Sequence, residues 1–396
     1  MTVMDDLLSR VDARRIVETT RTITALTVPD GSEGLRARAV ADLLAHPRIE
    51  VHVDPVLPGR PNVIARVRGT VSGEVPGLLL NGHLDAGYVN DGWRHDPLDA
   101  WEEDGKLYGG AVSDMLGGVA AMMDALLAAA DGPALPGDVV LLANMYHDSN
   151  GLGTKYALAS EGGWPRYGIN GEPTSNTILT RHGGCVKFEI AFTGRVAHIS
   201  RAEEGVDALA AAVRVYDRVR SLDFSHEPDP DLPTLPRVQV GVLQGGFAAA
   251  AVPPSAIIQG DVRTVPGMDW VSVRTDLERV VADTCPPEVS AHVACLVRQR
   301  PHTGPESGPL LDALRAAHRR VAGTDAAINV ERASQSFVTD AVDMAAAGIE
   351  TLVYGPGAWH YEPNEWIGVD EMADAARVYL ATAALLMGVE AAGGAG

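Results

Sequence analysis

Two continuous apolar runs each stop abruptly at polar residues: GLLLNGHLD over 77–85 and DVVLLANMYHDSNG over 138–151. A strand that is apolar on both of its sides has to be covered on both faces, which points to a sheet held between layers of helix. Helical segments are at hand. GGVAAMMDALLAAA follows at 117–130, the spacing predicts another helix over 309–321, and DEMADAARVYLATAALLM spans 370–387. Near the start, Leu7, Leu8, Val11, Ile16 and Val17 recur at helical spacing and predict one helix over 5–28; a second is expected over 32–45. PNVIARVRG (61–69) and ETLVYGPG (350–357) read as strands. The recurrence of strand, polar loop and helix gives the α/β class. In such sheets ligands gather beyond the carboxyl ends of strands, where His83, Asp85, His147 and Asp148 fall.

The pattern changes near residue 183. CVKFEIAFTG alternates apolar and polar residues, as a strand with one wet face does. A helix over 203–222, strands RVQVGVLQGG and AIIQGDVRTVP, a helix over 270–285 and a strand VSAHVACLVRQ follow. This β-α-β-β-α-β order is that of a small ferredoxin-like sandwich. The expected organisation is a domain built from 1–182 and 299–396, with residues 183–298 inserted; 396 residues exceed one ordinary core.

The formal net charge is −20, which excludes a phosphate backbone as an expected partner and gives no support for an anionic membrane surface. No segment reads as long and apolar enough to span a bilayer, and no secretory leader is visible, so a cytoplasmic location is expected. Cys185, Cys285 and Cys295 have neither disulfide nor metal-binding spacing and are expected to be small buried residues. The final GVEAAGGAG reads as a frayed tail.

Five residues in turn-rich stretches could ligate a metal: His83, Asp114, Asp148, Glu172 and His360. Taken singly, each is as readily a turn residue or a helix cap. As a set of nitrogen and oxygen donors they suit zinc, manganese or cobalt rather than calcium or magnesium. Asp85, two residues after His83, is expected to accept the N–H of a ligating imidazole and fix its orientation.

Six stretches in order, NGHLDAG, GKLYGGAVSDMLGGVAAM, NGEPTS, RVAHISRAEEGVDAL, GGFAAAAVPPSAIIQGDVRTVPG and VTDAVDMAAAGIETLVYGPG…HYEPNE, resemble the motifs of the di-zinc exopeptidase and deacylase superfamily. That group includes aminoacylases, acetylornithine deacetylase, succinyl-diaminopimelate desuccinylase and glutamate carboxypeptidase. The resemblance covers about residues 60–385. It implies a mixed-sheet catalytic domain and an inserted lid that mediates a homodimer. It implies that Asp114 bridges two metals, that His83 and Glu172 complete one, and that Asp148 and His360 complete the other. It also implies that His198 in the lid stabilises an oxyanion in a neighbouring subunit's site, and that Arg263 binds a substrate carboxylate or other anion.

The chain departs from that superfamily where it usually carries Glu-Glu, a general base followed by a ligand; here stand His147 and Asp148. Beside a cation a neutral imidazole can take a proton from water near pH 7. His147 is therefore read as general base or proton shuttle, with an additional metal ligand and a packing residue as alternatives. Gly110-Ala111, Leu116 and Ala250 replace the superfamily's usual Arg-Gly, Lys and Asn, while Trp359 and Tyr361 flank His360 as a possible aromatic wall. The expected function is metal-dependent hydrolysis of a C–N bond in a small acidic or zwitterionic substrate, an amide or an unusual aryl or heterocyclic amine. A non-hydrolytic isomerase, lyase or condensing enzyme, and a non-catalytic binding protein, are the alternatives.

Overall fold

The computed structural model describes residues 2–26, 33–71, 75–86, 91–147, 150–160, 162–330, 334–360 and 362–389. It divides into two compact units, one of Met1–Thr180, Thr303–Ser334 and Thr339–Gly396, the other of Arg181–His302 and Gln335–Val338.

The first unit is built on a six-stranded mixed sheet. Its order is Ile49–Leu57, Arg60–Val67, Val139–Asn144, Leu78–His83, Tyr167–Asn170, Glu350–Val353. The last four run parallel and the first two are antiparallel additions at one edge. The apolar runs behave as their composition requires. Leu78, Leu80, Val139, Leu141 and Ala143 join the large core under helices Ala13–Thr24, Gly117–Asp131 and Val369–Leu386. Leu79, Val140 and Leu142 face the other way, into a smaller cluster with Ala157 and Met344 from helices Leu152–Ser160 and Ala341–Ala346. Alternate side chains of one strand thus fill two cores, and helices cover both faces.

Several expectations are corrected. The predicted helix over 5–28 is two, Val3–Ser9 and Ala13–Thr24. The chain turns between them, and Asp12 caps the second through the amides of Arg14 and Arg15. Among the described residues one helical stretch, Val112–Asp131, is long and apolar enough to cross a membrane. It is 89% buried inside the protein, so its apolarity is that of a core helix. Of the cysteines, Cys185 is buried while Cys285 and Cys295 are half-buried, and all three are free. The C-terminal residues 390–396 lie outside the described residues.

The second unit is a four-stranded antiparallel sheet in the order Arg237–Gly245, Ser255–Thr264, Gly184–Thr193, Ser290–Gln299. Helices Ala208–Val219 and Trp270–Thr284 cover one face, where Phe188, Ile190, Ile258 and Val262 pack against Val215 and Leu277. This is the ferredoxin-like arrangement. The first of its helices is shorter than the predicted 203–222, because Ile199–Glu204 forms a separate 3-10 turn.

Candidate metal centre

Four neighbouring parallel strands bring their carboxyl ends to one edge, and the site residues lie there. His83 ends its strand; His147 follows Asn144 by three residues and Glu172 follows Asn170 by two. Registers pair His83 with Asn144 and Asn81 with Asn170, which sets the three loops side by side. The loop after Glu350–Val353 needs glycine where it passes the loop after Tyr167–Asn170, since a Cβ on Gly355 would sit 2.2 Å from the Gly171 carbonyl oxygen. Tyr146, just before His147, holds a left-handed φ of 56°. Its ring lies under the Arg60 guanidinium, 4.2 Å from ring centre to Cζ.

The donor atoms of His83, His147 and Glu172 fall within 4.8 Å of one another, and all three residues are buried. The two imidazoles stack with centroids 4.6 Å apart and planes 6° off parallel. His83 Nδ1 donates to the Asp85 carbonyl oxygen at 2.8 Å, so its Nε2 is turned to Asp114 Oδ1 at 3.3 Å and Glu172 Oε1 at 3.6 Å. His147 Nε2 is also 3.6 Å from Glu172 Oε1. Asp85 thus departs from its expected part. Its peptide oxygen, not its carboxylate, takes the imidazole N–H. The carboxylate stands 3.7 Å from that nitrogen and accepts the His147 backbone N–H at 3.0 Å, pinning the neighbouring loop.

Asp114 lies in a kinked turn, Val112–Leu116, with an extended φ/ψ of −124°/91°. Glu365 holds the turn. Its buried carboxylate accepts the backbone N–H groups of Ser113 at 2.7 Å, Asp114 at 3.2 Å and Ala111 at 3.3 Å. Burial and the nearby Asp114 push the Glu365 carboxyl up to about 8 despite those amides. Glu365→Ala should leave the turn unanchored, and a divalent cation that draws on Asp114 should bind about 10–100-fold more weakly, the range for loss of a supporting hydrogen-bond partner. A zinc titration against a competing chelator reads this directly, and an unchanged affinity would remove Glu365 from that role.

Among the described residues, the buried side-chain atoms without a hydrogen-bond partner include Asp114 Oδ1, Glu172 Oε1 and His360 Nε2. Each is a Lewis base, and an unpaired buried acceptor is costly. A divalent cation is the partner that would satisfy Asp114 Oδ1 and Glu172 Oε1 together, 3.3 and 3.6 Å from His83 Nε2, so this donor set fits a metal. Burial works against ionised Glu172 and, with Asp114 close by, raises its carboxyl to about 8; the imidazoles of His83 and His147 oppose this. Burial works against a charged His147 as well, but the Asp340 carboxylate outweighs it and pushes the imidazole up to about 10.

The other expected residues are distributed as follows. His360 is not part of the trio: its ring packs 5.4 Å from Trp366 and its Nδ1 lies 3.8 Å from Glu362 Oε1. Trp359 beside it is exposed. Asp148 and Tyr361 lie outside the described residues. In the second unit His198 is exposed and its Nδ1 accepts the Ser200 N–H at 3.2 Å, which leaves the neutral ring's proton on Nε2. Arg263 faces the Asp261 carboxylate at 3.1 Å and donates to the Ser336 carbonyl at 3.0 Å, so any substrate anion it binds competes with Asp261.

Two residues were missed in the sequence. Glu365 sits within HYEPNE, and Asp340 within VTDAVDM. Asp340 is 1% exposed, and its Oδ1 is 3.1 Å from His147 Nδ1. An Asp directly before a short helix reads as a cap. Asp340 does occupy that position ahead of Ala341–Ala346, yet its side chain makes no capping bond.

The sequence profile of peptidase family M20/M25/M40 matches residues 79–385. Over 326 residues, 81% of each chain, the sequence is 28% identical to acetylornithine deacetylase of Proteus mirabilis. Over 269 residues, 61% of this chain and 65% of the relative, it is 29% identical to a probable succinyl-diaminopimelate desuccinylase of Staphylococcus epidermidis. The fold is shared with human carnosine dipeptidase 1, at a TM-score of 0.75 and 16% identity over 98% of this chain and 99% of that one. It is also shared with an M20 family metallo-carboxypeptidase of Sulfolobus solfataricus, at 0.72 and 18% over 94% and 98%. With its profile match running through both apolar strands, the Asp114 turn, Glu172 and His360, the chain belongs to peptidase family M20/M25/M40 and is an amidohydrolase-like enzyme.

Proposed function

We propose that the protein hydrolyses the amide bond of a small acidic or zwitterionic N-acyl compound, with a divalent cation, zinc first, held by His83, Asp114 and Glu172, and by Asp148 and His360 where a second ion binds. The observation that carries this reading is the coincidence of three unpartnered buried Lewis bases, Asp114 Oδ1, Glu172 Oε1 and His360 Nε2, with the family's ligand positions. When bound, the cation supplies Lewis acidity that polarises the scissile carbonyl and makes water a stronger acid.

His147 performs the proton chemistry. Its Nδ1 is engaged by Asp340, so the ring presents Nε2 toward the Glu172 carboxylate and the cation's ligands. Beside a bound cation the ring would be neutral, and its Nε2 would accept a proton from the attacking water and return it to the leaving amine. His198, with its proton on Nε2, is the tautomer that donates to an oxyanion, and in a homodimer it serves a neighbouring subunit's site. Arg263 exchanges Asp261 for a substrate carboxylate.

A second reading has its own support. His147 stands in the trio within 4.8 Å, so its Nε2 is placed as well to ligate as to take a proton. One variant separates the two. With zinc-reconstituted protein and a panel of N-acetyl and N-succinyl amino acids and dipeptides, His147→Ala is expected to lower kcat by about 10²–10⁴-fold while zinc per chain stays at the wild-type level. Zinc lost in parallel with activity assigns His147 as a ligand, and unchanged kcat removes it from the chemistry.

A further inference from the structure

We propose that Asp340 is the positioning residue for His147, holding the hydrogen of its neutral ring on Nδ1 so that the lone pair of Nε2 faces the cluster. This rests on the reading in which His147 acts through Nε2. The evidence is a hydrogen-bond chain with a single polarity. Asn170 Nδ2 donates to Asn81 Oδ1 at 2.8 Å, and Asn81 Nδ2 to Asn144 Oδ1 at 2.9 Å. Asn144 Nδ2 then donates to Asp340 Oδ2 at 2.6 Å. The Thr154 hydroxyl donates to the same oxygen at 2.9 Å.

The three asparagines lie on adjacent parallel strands, and every member of the chain is buried. Because Asn144 spends its oxygen on Asn81, only its NH₂ is left to turn toward Asp340. Oδ2 of Asp340 is thereby filled by two donors, and Oδ1 remains for the imidazole 3.1 Å away. A carboxylate only accepts, so the shared hydrogen belongs to His147 Nδ1. At the Asp340 end the donors of Asn144 and Thr154 are both used, and this fixes the geometry next to His147; at the far end Asn170 Oδ1 is left without a partner among the described residues. This chain replaces the superfamily's glutamate with an imidazole, which has two nitrogens and needs one of them assigned; Asp340 makes that assignment.

The test is Asp340→Asn, which keeps the shape. Asn144 and Thr154 still donate toward the Oδ2 position, so the carboxamide oxygen goes there and the NH₂ turns to His147. Nδ1 then has to accept, and the neutral ring carries its hydrogen on Nε2, the wrong atom. The equivalent exchange in serine proteases acts in the same way. With the panel above, kcat should fall by about 10²–10⁴-fold with KM moved by less than about 3-fold. Two-bond ¹H–¹⁵N spectra of zinc-loaded protein should show His147 protonated on Nδ1 in the wild type and on Nε2 in the variant. The wild-type spectrum is decisive even if the variant does not fold, since an Nε2–H tautomer there overturns the assignment. Wild-type kcat and an unmoved tautomer in Asp340→Asn, beside an inactive His147→Ala, overturn the role of Asp340 alone. A fully active His147→Ala overturns the reading beneath it.

Discussion

Asp114→Ala is expected to cost on the order of 10⁴-fold or more in kcat/KM, the largest loss of any single substitution in the site, since the cation's whole contribution to activating water is at stake. The side chain is placed for one task. Its Oδ1 is buried and has no hydrogen-bond partner, 3.3 Å from His83 Nε2. The turn that carries it is bent out of helical geometry and held by three backbone amides on Glu365. Burial opposes the charge on Asp114, but His83 and His147 hold its carboxyl below the usual carboxylate range, so it is an anion at neutral pH. Removing it takes away negative charge where two imidazoles converge, and the proposed bridging position is lost. Metal analysis and kcat/KM on the same preparation check this. A variant that keeps both its zinc and its rate would place the cation elsewhere. Asp114→Asn, which keeps the shape and drops the charge, should fall between wild type and Asp114→Ala in zinc affinity.

What could be read from the sequence follows from the range of the interactions concerned. The runs at 77–85 and 138–151 carry their own burial pattern, so the covered sheet and the strand ends bearing His83 and His147 were legible. The inserted sandwich was legible through the alternation in Gly184–Thr193 and the order of strands and helices that follows it. Short strands such as Tyr167–Asn170 and Trp366–Gly368 were not, because three or four residues hold too little periodicity to stand out. The break between Val3–Ser9 and Ala13–Thr24 depends on one aspartate whose capping bonds interrupt an otherwise helical apolar stripe. Asp340 and Glu365 escaped for a different reason. Their partners, His147 and the Asp114 turn, are 193 and about 250 residues away in sequence, and nothing local distinguishes a carboxylate that supports a distant loop from one that caps a helix. Asp85 shows the limit most sharply. Its position was legible from the His-x-Asp spacing, but which of its oxygens meets the imidazole depends on where the next strand's loop lies.

Stripping the cation with a chelator should lower the melting temperature of the first unit by roughly 8–16 °C. Saturating ligand at about 1,000 times Kd stabilises by about 4 kcal/mol, and a unit of this size shifts by about 2–4 °C per kcal/mol. The gap should widen with pH, for reasons that can be assigned to residues. In the stripped protein burial raises the Glu172 carboxyl to about 8, above its unfolded value of about 4.3. A raised carboxyl contributes stability that is complete below the unfolded value and is lost as pH climbs through the folded one. His147, raised to about 10 by the Asp340 carboxylate against the cost of burial, contributes stability that is complete below about 6.5 and lost on the way to 10. Asp114 and Asp340 have lowered carboxyls, so their contributions disappear only in acid, below about 3.9. The stripped protein should therefore melt lower at pH 8 than at pH 5.5. The zinc-loaded protein should move the opposite way over that range, because binding requires the same carboxylate and imidazoles to give up their protons and tightens as pH rises. Paired melting curves at the two pH values, with and without chelator, decide it. A gap that stays constant would mean that Glu172 and His147 keep one protonation state throughout, and would separate them from the cation.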